Sequence, residues 1–330
     1  RTPHHSDSPE IGALRVRLWR LLGVSLLLLA ATSAADLATR ASAMSGRPLS
    51  QLLAVLPLTL TRTHYGHLWL LRPAALAALG PAWFLGRTRL ESRVPAAIMM
   101  ICCLFVVVAR CATGHGADQG DLTLPELADC VHLLAASLWA GSLLAVSVAV
   151  LPPVVARSAL RPGVLADLSA RFSTLAGVAL GGVLASGLYN AYHELGNPSA
   201  LWGTGYGRTL AGKLVLVATM ITLGACNRYL SVPGLRLWAG RAPIGRGPMH
   251  RWIVGPYLAR VRERGAGLWI ARTFRRRVVA EAVLAVGVLA ATSLLIQDTP
   301  ARHVHPAPRS GPMPGHMSMP DGGVAPRPNR

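Results

Sequence analysis

Two short stretches place cysteine and histidine side chains near the ends of apolar segments. The first, CATGHG, contains Cys111 and His115, and the second, DCVH, contains Asp129, Cys130 and His132. Thiolate and imidazole are ligands of Cu(I) and zinc, whereas hard cations prefer oxygen. The pattern predicts a site for a soft or borderline metal ion, with His115, His132 and either cysteine as candidate ligands.

Each of these residues also has an interpretation without a metal. A single histidine in an apolar helix can hydrogen-bond to a neighbouring backbone and do nothing more. Cys111 and Cys130 can pack in the interior or form a disulfide in an oxidising compartment. The remaining cysteines lie inside apolar runs without the spacing of metal ligands, and we interpret them as core-filling residues. They are Cys102, Cys103 and Cys226.

The C-terminal segment, residues 301–330, contains a second set of soft or borderline ligands. Its stretch HVHPAPRSGPMPGHMSMPDGG is rich in proline, glycine and serine, so we predict a disordered tail. Its histidine and methionine side chains are ligand types that copper accepts, and the alternative is an inert tail. These residues are His303, His305, Met313, His316, Met317 and Met319.

The segment from Asp129 places polar and aromatic residues on one helical face. Asp129, His132 and Trp139 follow a helical spacing. Because a polar group inside a span is costly unless it faces protein or a wet cavity, this face is expected to point into a bundle. Asp129 either orients the imidazole or lies at the membrane interface. Trp139 then borders any path below His132.

Further charged or amide side chains lie at the ends of later apolar runs. Lys213 lies one turn inside its run and is expected to extend toward the surface. Asn227 and Arg228 end that same run. Arg277 and Glu281 are four residues apart, so we expect them to pair on one helical face. All five are candidate path or gate residues.

The composition indicates an all-α membrane protein. Hydrophobic residues make up 52% of the 330 residues, charged residues only 14%, and the mean hydropathy is +0.41. Membrane β-strands would alternate in polarity, which these apolar runs do not. A further stretch, residues 49–60, is too short to span and is expected to be an interfacial or re-entrant helix. Seven runs are long enough to cross as helices: 18–37, 67–85, 94–111, 127–151, 172–191, 208–230 and 278–297.

The net charge of +19 is interpreted as a signal of membrane orientation. Basic residues concentrate before the first run and after the second, fourth and sixth, which predicts a cytoplasmic N terminus and an extracytoplasmic C terminus. No nucleic-acid recognition motif accompanies the charge, so nucleic acid is not expected as a partner. Three regions follow: a cytoplasmic segment 1–17, a transmembrane bundle 18–300 and the tail 301–330.

No familiar catalytic or nucleotide-binding motif is present. The sequence lacks a Walker loop, G-x-S-x-G, H-E-x-x-H and a dinucleotide fingerprint. We therefore do not expect an enzyme, and any transport would be passive, ion-coupled or driven by a partner. A haem-binding redox protein is an alternative, because histidines on different spans can hold haem. Such a site would use His132 together with His115.

Four blocks in order give a family resemblance. They are TGHG, VHLLAASLWAGSLL, SGLYNAY with YGRTLAGKLVL and NRYLSVPGL, and RRRVVAEAVLAVGVLAATSLL, together covering residues 110–300. This set resembles the bacterial copper resistance D (CopD) membrane proteins. The resemblance implies a polytopic inner-membrane protein of copper homeostasis with eight spans, one more than hydropathy indicates. It places family-typical residues at His115, His132, Trp139, Lys213, Asn227, Arg228 and Glu281.

The resemblance also implies a function. The leading hypothesis is that the tail gathers copper outside and that a site around His115 and His132 receives it for transport or handover. Glu281 and Arg277 would form an inner gate or a structural pair. Similar domains occur fused to cytochrome oxidase assembly proteins, so such a protein or an extracytoplasmic copper chaperone is a possible partner beside the lipid bilayer. The alternative is copper delivery without transport.

Overall fold

The computed structural model describes a chain of helices. The described residues are 9–89, 92–113, 123–150, 161–195, 197, 199–242, 250–263, 265 and 267–297. A 3₁₀ turn, Leu49–Gln51, precedes the second helix, and single π-helical turns occupy Val146–Val150, Asn227–Ser231 and His250–Val254. The α-helices are α1 (Pro9–Ser45), α2 (Leu52–Arg62), α3 (His64–Trp69), α4 (Leu71–Thr88), α5 (Val94–Cys111), α6 (Leu124–Ala145), α7 (Pro162–Leu195), α8 (Ala200–Gly203), α9 (Gly205–Cys226), α10 (Val232–Trp238), α11 (Gly255–Glu263) and α12 (Gly267–Gln297).

Seven helical segments among the described residues are long and apolar enough to cross a membrane, which confirms the predicted helical bundle. Five of the seven segments are longer than the apolar runs predicted for them. The last begins at Gly267 rather than at 278, because the basic stretch before the apolar run is helical as well. Hydropathy marks the part of a helix that suits lipid, whereas backbone hydrogen bonding continues through polar turns.

The short apolar stretch after α1 forms a helix of its own. The segment Leu49–Arg62 is apolar but falls short of a span, as its length predicted. Pro57 lies inside α2, where it removes a backbone donor. Among the described residues no eighth helix has the length and hydropathy of a span, so the additional crossing that the family resemblance implied is not found there.

The long helices pack as neighbouring pairs. The most extensive contacts join α6 to α7, α4 to α5, and α9 to α12. The largest buried cluster includes Trp139 and Leu143 on α6 with Ile270, Phe274 and Val278 on α12. These packed pairs hold the ends of α5, α6 and α7 side by side, which is where the candidate ligands lie.

Two similar caps start helices in different parts of the bundle. Thr63 precedes α3 and its Oγ1 accepts a hydrogen bond from the Gly66 N–H at 2.9 Å; Thr204 does the same for Gly207 at 2.9 Å before α9. A Cβ on either glycine would meet a carbonyl oxygen of the preceding short helix at 2.1 Å. The two sequences share the pattern T-x-Y-G-x5-(R/K), which ends at Arg72 in one and at Lys213 in the other.

Two names describe the ends of the bundle. Helices α1, α5, α7 and α12 all finish at the same end of the bundle. We call it the tail end, because the C-terminal tail follows α12 in the sequence. The opposite end, where α12 starts with the run RTFRRR, is the basic end. The two candidate stretches around Cys111 and Cys130 both belong to the tail end, as expected from the alternating direction of successive spans.

Candidate metal site and polar networks

The structure brings the two candidate cysteines together. Cys111 ends α5 and Cys130 lies in the second turn of α6. Their thiols lie close enough to act on each other electrostatically. Cys111 is buried and Cys130 is half-buried. Two thiol groups from separate helices therefore share one position near the tail end of the bundle, and the structure records both as unbridged.

His132 faces the other side of α6, toward α7. Its Nδ1 lies 3.1 Å from the Ser186 hydroxyl oxygen, and that hydroxyl donates its proton to the Gly182 carbonyl at 2.6 Å. Because the Ser186 hydroxyl donates its only proton to Gly182, it must accept in the contact with His132. The proton in that contact is therefore on Nδ1, which donates to the Ser186 oxygen. The other ring nitrogen, Nε2, then keeps its lone pair. A neutral imidazole with one nitrogen fixed by a hydrogen bond is the form that binds metal.

The contact between α6 and α7 continues on both sides of His132. Toward the tail end, the Asn190 amide donates to Asp129 Oδ1 at 2.7 Å. Deeper in the bundle, the α-carbon of Gly182 approaches Ala135 so closely that a Cβ there would lie 2.9 Å from the alanine methyl. This order of contacts shows that the helices are antiparallel. We call the contact through Asp129, His132 and Ala135 the α6–α7 seam.

Lys213 and Trp139 border the same region. Lys213 is half-buried, and its ammonium is close enough to His132 to act on it electrostatically. Trp139 is 9% exposed and packs in the main apolar cluster. A cation beside the imidazole opposes the approach of a second cation, so any copper ion held by His132 requires compensating anionic ligands.

The candidate ligands do not form one complete metal site within the described residues. No group of three or more histidine, cysteine, aspartate and glutamate side chains there is arranged to hold a metal ion. Cys130 points to α5 and His132 to α7, so the structure separates them. Several predicted ligands lie outside the described residues: His115, His303, His305, Met313, His316, Met317 and Met319.

A second polar network lies toward the basic end. Glu281 is 3% exposed and accepts a hydrogen bond from Asn227 at 2.6 Å. Ser231 donates to the Asn227 Oδ1 at 3.2 Å, and Arg277 donates to the Ser231 hydroxyl at 3.0 Å. The direct pair predicted for Arg277 and Glu281 is wrong, because Ser231 and Asn227 stand between them. These two side chains belong to the π-helical turn that follows α9.

Two neighbours extend this network. Arg228 leaves the π-helical turn sideways and donates to the Ser173 carbonyl at 2.8 Å, which ties α9 to α7. On α11, burial raises the pKa of the Tyr257 phenol, an effect that the nearby Arg277 partly offsets. The tyrosine therefore remains neutral at physiological pH. Across the whole network, the structure holds four of the predicted path or gate residues in fixed contacts: Asn227, Arg228, Arg277 and Glu281.

A third network, absent from the sequence predictions, joins α1, α3, α4 and α5 at the tail end. We call it the Asp36 cluster and define it by Asp36, Arg40, Tyr65, Arg72 and Arg110. Asp36 accepts from Arg72 at 2.5 Å, from Arg40 at 3.1 Å and from the Tyr65 hydroxyl at 3.3 Å. The repeated T-x-Y-G pattern was the available signal, since Arg72 occupies the position that Lys213 has in the second copy.

The fold and these networks define a multi-pass helical membrane protein with a thiol pair near one end. A model of the copper resistance protein D-like N-terminal domain matches residues 5–124, and one of copper resistance protein D matches residues 166–259. Copper resistance protein D of Pseudomonas syringae pv. tomato is 31% identical over 237 residues, covering 68% of this chain and 73% of that protein. The chain belongs to the copper resistance protein D family.

Two further relatives are similar to parts of the chain. Copper transport protein CutJ of Bacillus subtilis (strain 168) is 29% identical over 201 residues, which are 60% of this chain and 35% of CutJ. Inner membrane protein YebZ of Escherichia coli (strain K12) is 32% identical over 146 residues, which are 44% of this chain and 48% of YebZ. No solved structure matches the chain. The N-terminal match extends the likeness to a region where the sequence motifs gave little sign of it.

Proposed function

We propose that this membrane protein binds copper at the tail end of its bundle and moves it across the membrane or hands it on. The observation that carries the proposal is the proximity of the Cys111 and Cys130 thiols at the ends of α5 and α6. Membership of a copper resistance family supports copper as the metal, and so does the similarity to CutJ, a copper transport protein.

The chemistry of the thiol pair favours Cu(I). Soft thiolates bind both Cu(I) and zinc, but Cu(I) accepts two-coordinate ligation whereas structural zinc takes four ligands, so a pair of cysteines suffices for Cu(I). Both thiols must lose a proton when the metal binds, because the thiolate is the ligand. In this proposal Cys111 and Cys130 hold the ion first. His132, with its free Nε2 on the opposite face of α6, is the next ligand.

The proposed direction of capture follows from charge. The concentration of arginine at the basic end favours a cytoplasmic position for that end, so in this proposal the tail end faces outward. The name of the YebZ relative supports a bacterial inner membrane. Residues 1–17 are then a cytoplasmic segment, 18–300 form the bundle, and 301–330 form an extracytoplasmic tail. That tail gathers copper through its histidines and methionines and passes it to His115 and the thiol pair.

A proposed path continues from His132 toward the basic end. It passes Lys213 and Trp139 and reaches the network of Asn227 and Glu281, where Arg228 and Arg277 fix the surrounding helices. The alternative is that copper leaves on the outer side, to an extracytoplasmic chaperone or a cytochrome oxidase assembly protein. Both versions use the same capture site, so transport has to be measured directly.

The first experiment measures Cu(I) binding by the full-length protein in detergent. We expect copper bound by the wild type to fall in Cys111→Ser and Cys130→Ser, while Cys103→Ser, a lipid-exposed cysteine on α5, serves as the matched control. The double variant His115→Ala with His132→Ala and a deletion of residues 301–330 should each lower the amount bound. Unchanged binding in both thiol variants would contradict the proposal, and a Soret band in the purified protein would favour haem.

The second experiment separates transport from delivery. Protein in liposomes is given Cu(I) on the outside, and a copper-sensitive dye is enclosed inside. A dye response that depends on Cys111 and Cys130 supports movement across the membrane. Copper binding without a dye response supports handover to a partner, which is then sought by adding an apo copper chaperone and measuring its metal content.

A further inference from the structure

We propose that the Asp36 cluster is a binding site for an anionic phosphate group. Three guanidinium groups, those of Arg40, Arg72 and Arg110, surround the single carboxylate of Asp36. Among the described residues the cluster therefore has two more positive than negative charges. This inference concerns a different ligand from copper and does not depend on the function proposed above.

Arg72 supplies the first structural argument. It is 3% exposed, and its two terminal nitrogens are used: Nη1 donates to Asp36 at 2.5 Å and Nη2 to the Thr113 hydroxyl at 3.3 Å. Its third donor, Nε, is buried and has no hydrogen-bond partner within the part of the chain that the structure describes. A buried donor without an acceptor is unfavourable, so an oxygen atom from a ligand would be bound there with a gain in stability.

Arg110 supplies the second argument. It is half-buried on the last turn of α5, and it acts electrostatically on Arg40, Arg72, Asp36 and Tyr65. No described residue is recorded as its hydrogen-bond acceptor. Three like charges in a partly buried position repel one another, and the Asp36 carboxylate already pairs with Arg40 and Arg72. The guanidinium of Arg110 is therefore available to a ligand anion.

The surroundings favour phosphate over other anions. Arg40 is held in place by Asp36 at 3.1 Å, by the Thr113 carbonyl at 3.2 Å and by the ring of Tyr65, whose centroid lies 5.1 Å away. Guanidinium groups fixed in this way recognise phosphate through paired N–H donors. A phosphate monoester carries a charge of about −1.5 to −2 at neutral pH, which balances the two surplus charges.

The phosphate group can come from two sources. One is free phosphate or a small phosphate ester in the surrounding water. The other is the headgroup of a lipid in the leaflet at the tail end, since the cluster lies where α1 and α5 approach their ends and arginine there can reach a headgroup. A lipid phosphodiester carries one negative charge and balances only part of the surplus, but it presents the same phosphate oxygens to the guanidinium groups, so the experiment has one arm for each source.

The first arm titrates the full-length protein in neutral detergent with inorganic phosphate, followed by isothermal titration calorimetry. We expect saturable binding that is weakened about tenfold or more in Arg110→Gln, the loss of one charge-assisted contact. Arg47→Gln is the matched control, because Arg47 is exposed at the same end of the bundle and lies outside the cluster. Arg110→Gln removes no recorded hydrogen bond, so its fold should be retained, which circular dichroism checks.

The second arm places the protein in nanodiscs of phosphatidylcholine containing a small fraction of phosphatidylglycerol. Enrichment of phosphatidylglycerol around the wild type and the Arg47→Gln control, but not around Arg110→Gln, identifies the lipid headgroup as the source. Saturable binding of inorganic phosphate alone identifies the free anion. The proposal is overturned if neither ligand binds, or if Arg47→Gln and Arg110→Gln lose binding equally.

Discussion

A buried arginine needs a countercharge, and Arg72 has one in Asp36. The pair joins α4 to α1, with 2.5 Å between Arg72 Nη1 and Asp36 Oδ2, and Arg72 has almost no access to solvent. Removing one partner of such a pair leaves a charge without compensation, which destabilises a fold far more than the intact pair stabilises it. The ion pair between Asp167 and Arg241 differs, because both of its side chains are more than a third exposed.

We therefore predict that Asp36→Asn lowers the stability of the protein by about 3–5 kcal/mol. Asp167→Asn should change it by no more than about 1 kcal/mol, as is usual for exposed pairs. Thermal unfolding of both variants in the same detergent gives the comparison. Similar unfolding temperatures for the two variants would show that Asp36 is not needed to compensate Arg72.

The buried Glu281 provides a second comparison of single residues. Its Oε1 accepts from Asn227 at 2.6 Å, and both side chains are buried. Glu281→Gln keeps a carbonyl oxygen for this hydrogen bond, so we predict a stable protein. Glu281→Leu leaves the Asn227 amide without its acceptor and should cost about 1–3 kcal/mol.

The same two variants also test the proposed path. If Glu281 serves copper movement by its charge, Glu281→Gln should lose liposome transport while its unfolding temperature stays close to that of the wild type. Full transport by Glu281→Gln would assign Glu281 a structural role only. Equal instability of the glutamine and leucine variants would mean that the Asn227 hydrogen bond is not the main contribution of this residue.

At the scale of helices, small residues decide how α6 and α7 meet. Gly182 lets the α7 backbone approach Ala135, and this approach brings the Ser186 hydroxyl to His132. Small residues at such contacts are the usual means by which membrane helices come close. The position of the imidazole is therefore set by the packing one turn below it as well as by its own hydrogen bond.

Gly182→Ala is accordingly predicted to destabilise the α6–α7 seam. The new methyl group would lie 2.9 Å from the Ala135 methyl, closer than packed side chains allow, and such overpacking costs about 1–3 kcal/mol. Gly181→Ala is the matched control, because its Cβ would meet nothing within 4 Å. Thermal unfolding distinguishes the two, and a loss in Gly181→Ala as large as in Gly182→Ala would contradict a specific role for the seam.

At the scale of the whole molecule, the proposed orientation can be tested with two engineered cysteines. Ser92 lies exposed in the connection before α5 at the basic end, and Ser199 lies exposed before α8 at the tail end. In a variant without the native cysteines, Ser199→Cys should react with a membrane-impermeant maleimide added to intact cells. Ser92→Cys should react only after the cells are broken. The reverse pattern would place the thiol pair in the cytoplasm.

The sequence predicted the number of long helices and placed Cys111 and Cys130 at the same end of the bundle, because apolar length and loop direction determine which ends meet. It could not predict that Cys130 and His132 face different helices, since that depends on the packing of Gly182 against Ala135. The link from Arg277 to Glu281 through Ser231 and Asn227 was also missed. Its intermediate residues come from a distant helix, whereas the spacing rule considers one helix alone.

The Asp36 cluster was missed for another reason. Arginines near the ends of apolar runs were interpreted as markers of membrane orientation, and Arg40 lies beyond the first predicted run, 18–37. Because α1 continues to Ser45, Arg40 is helical and lies beside Asp36. A comparison of the chain with itself would have aligned Thr63 with Thr204 and drawn attention to Arg72.

The two caps described above have a consequence for how the bundle could have arisen. Each belongs to a unit of three crossings, α1 with α4 and α5, and α7 with α9 and α12. A unit with an odd number of crossings, duplicated in tandem, would insert its second copy upside down. The additional crossing α6 restores the direction, so both copies present their basic residue, Arg72 or Lys213, to the same side. The crossing α6, which carries Cys130 and His132, thus connects two three-helix units that begin their middle crossings with the same cap.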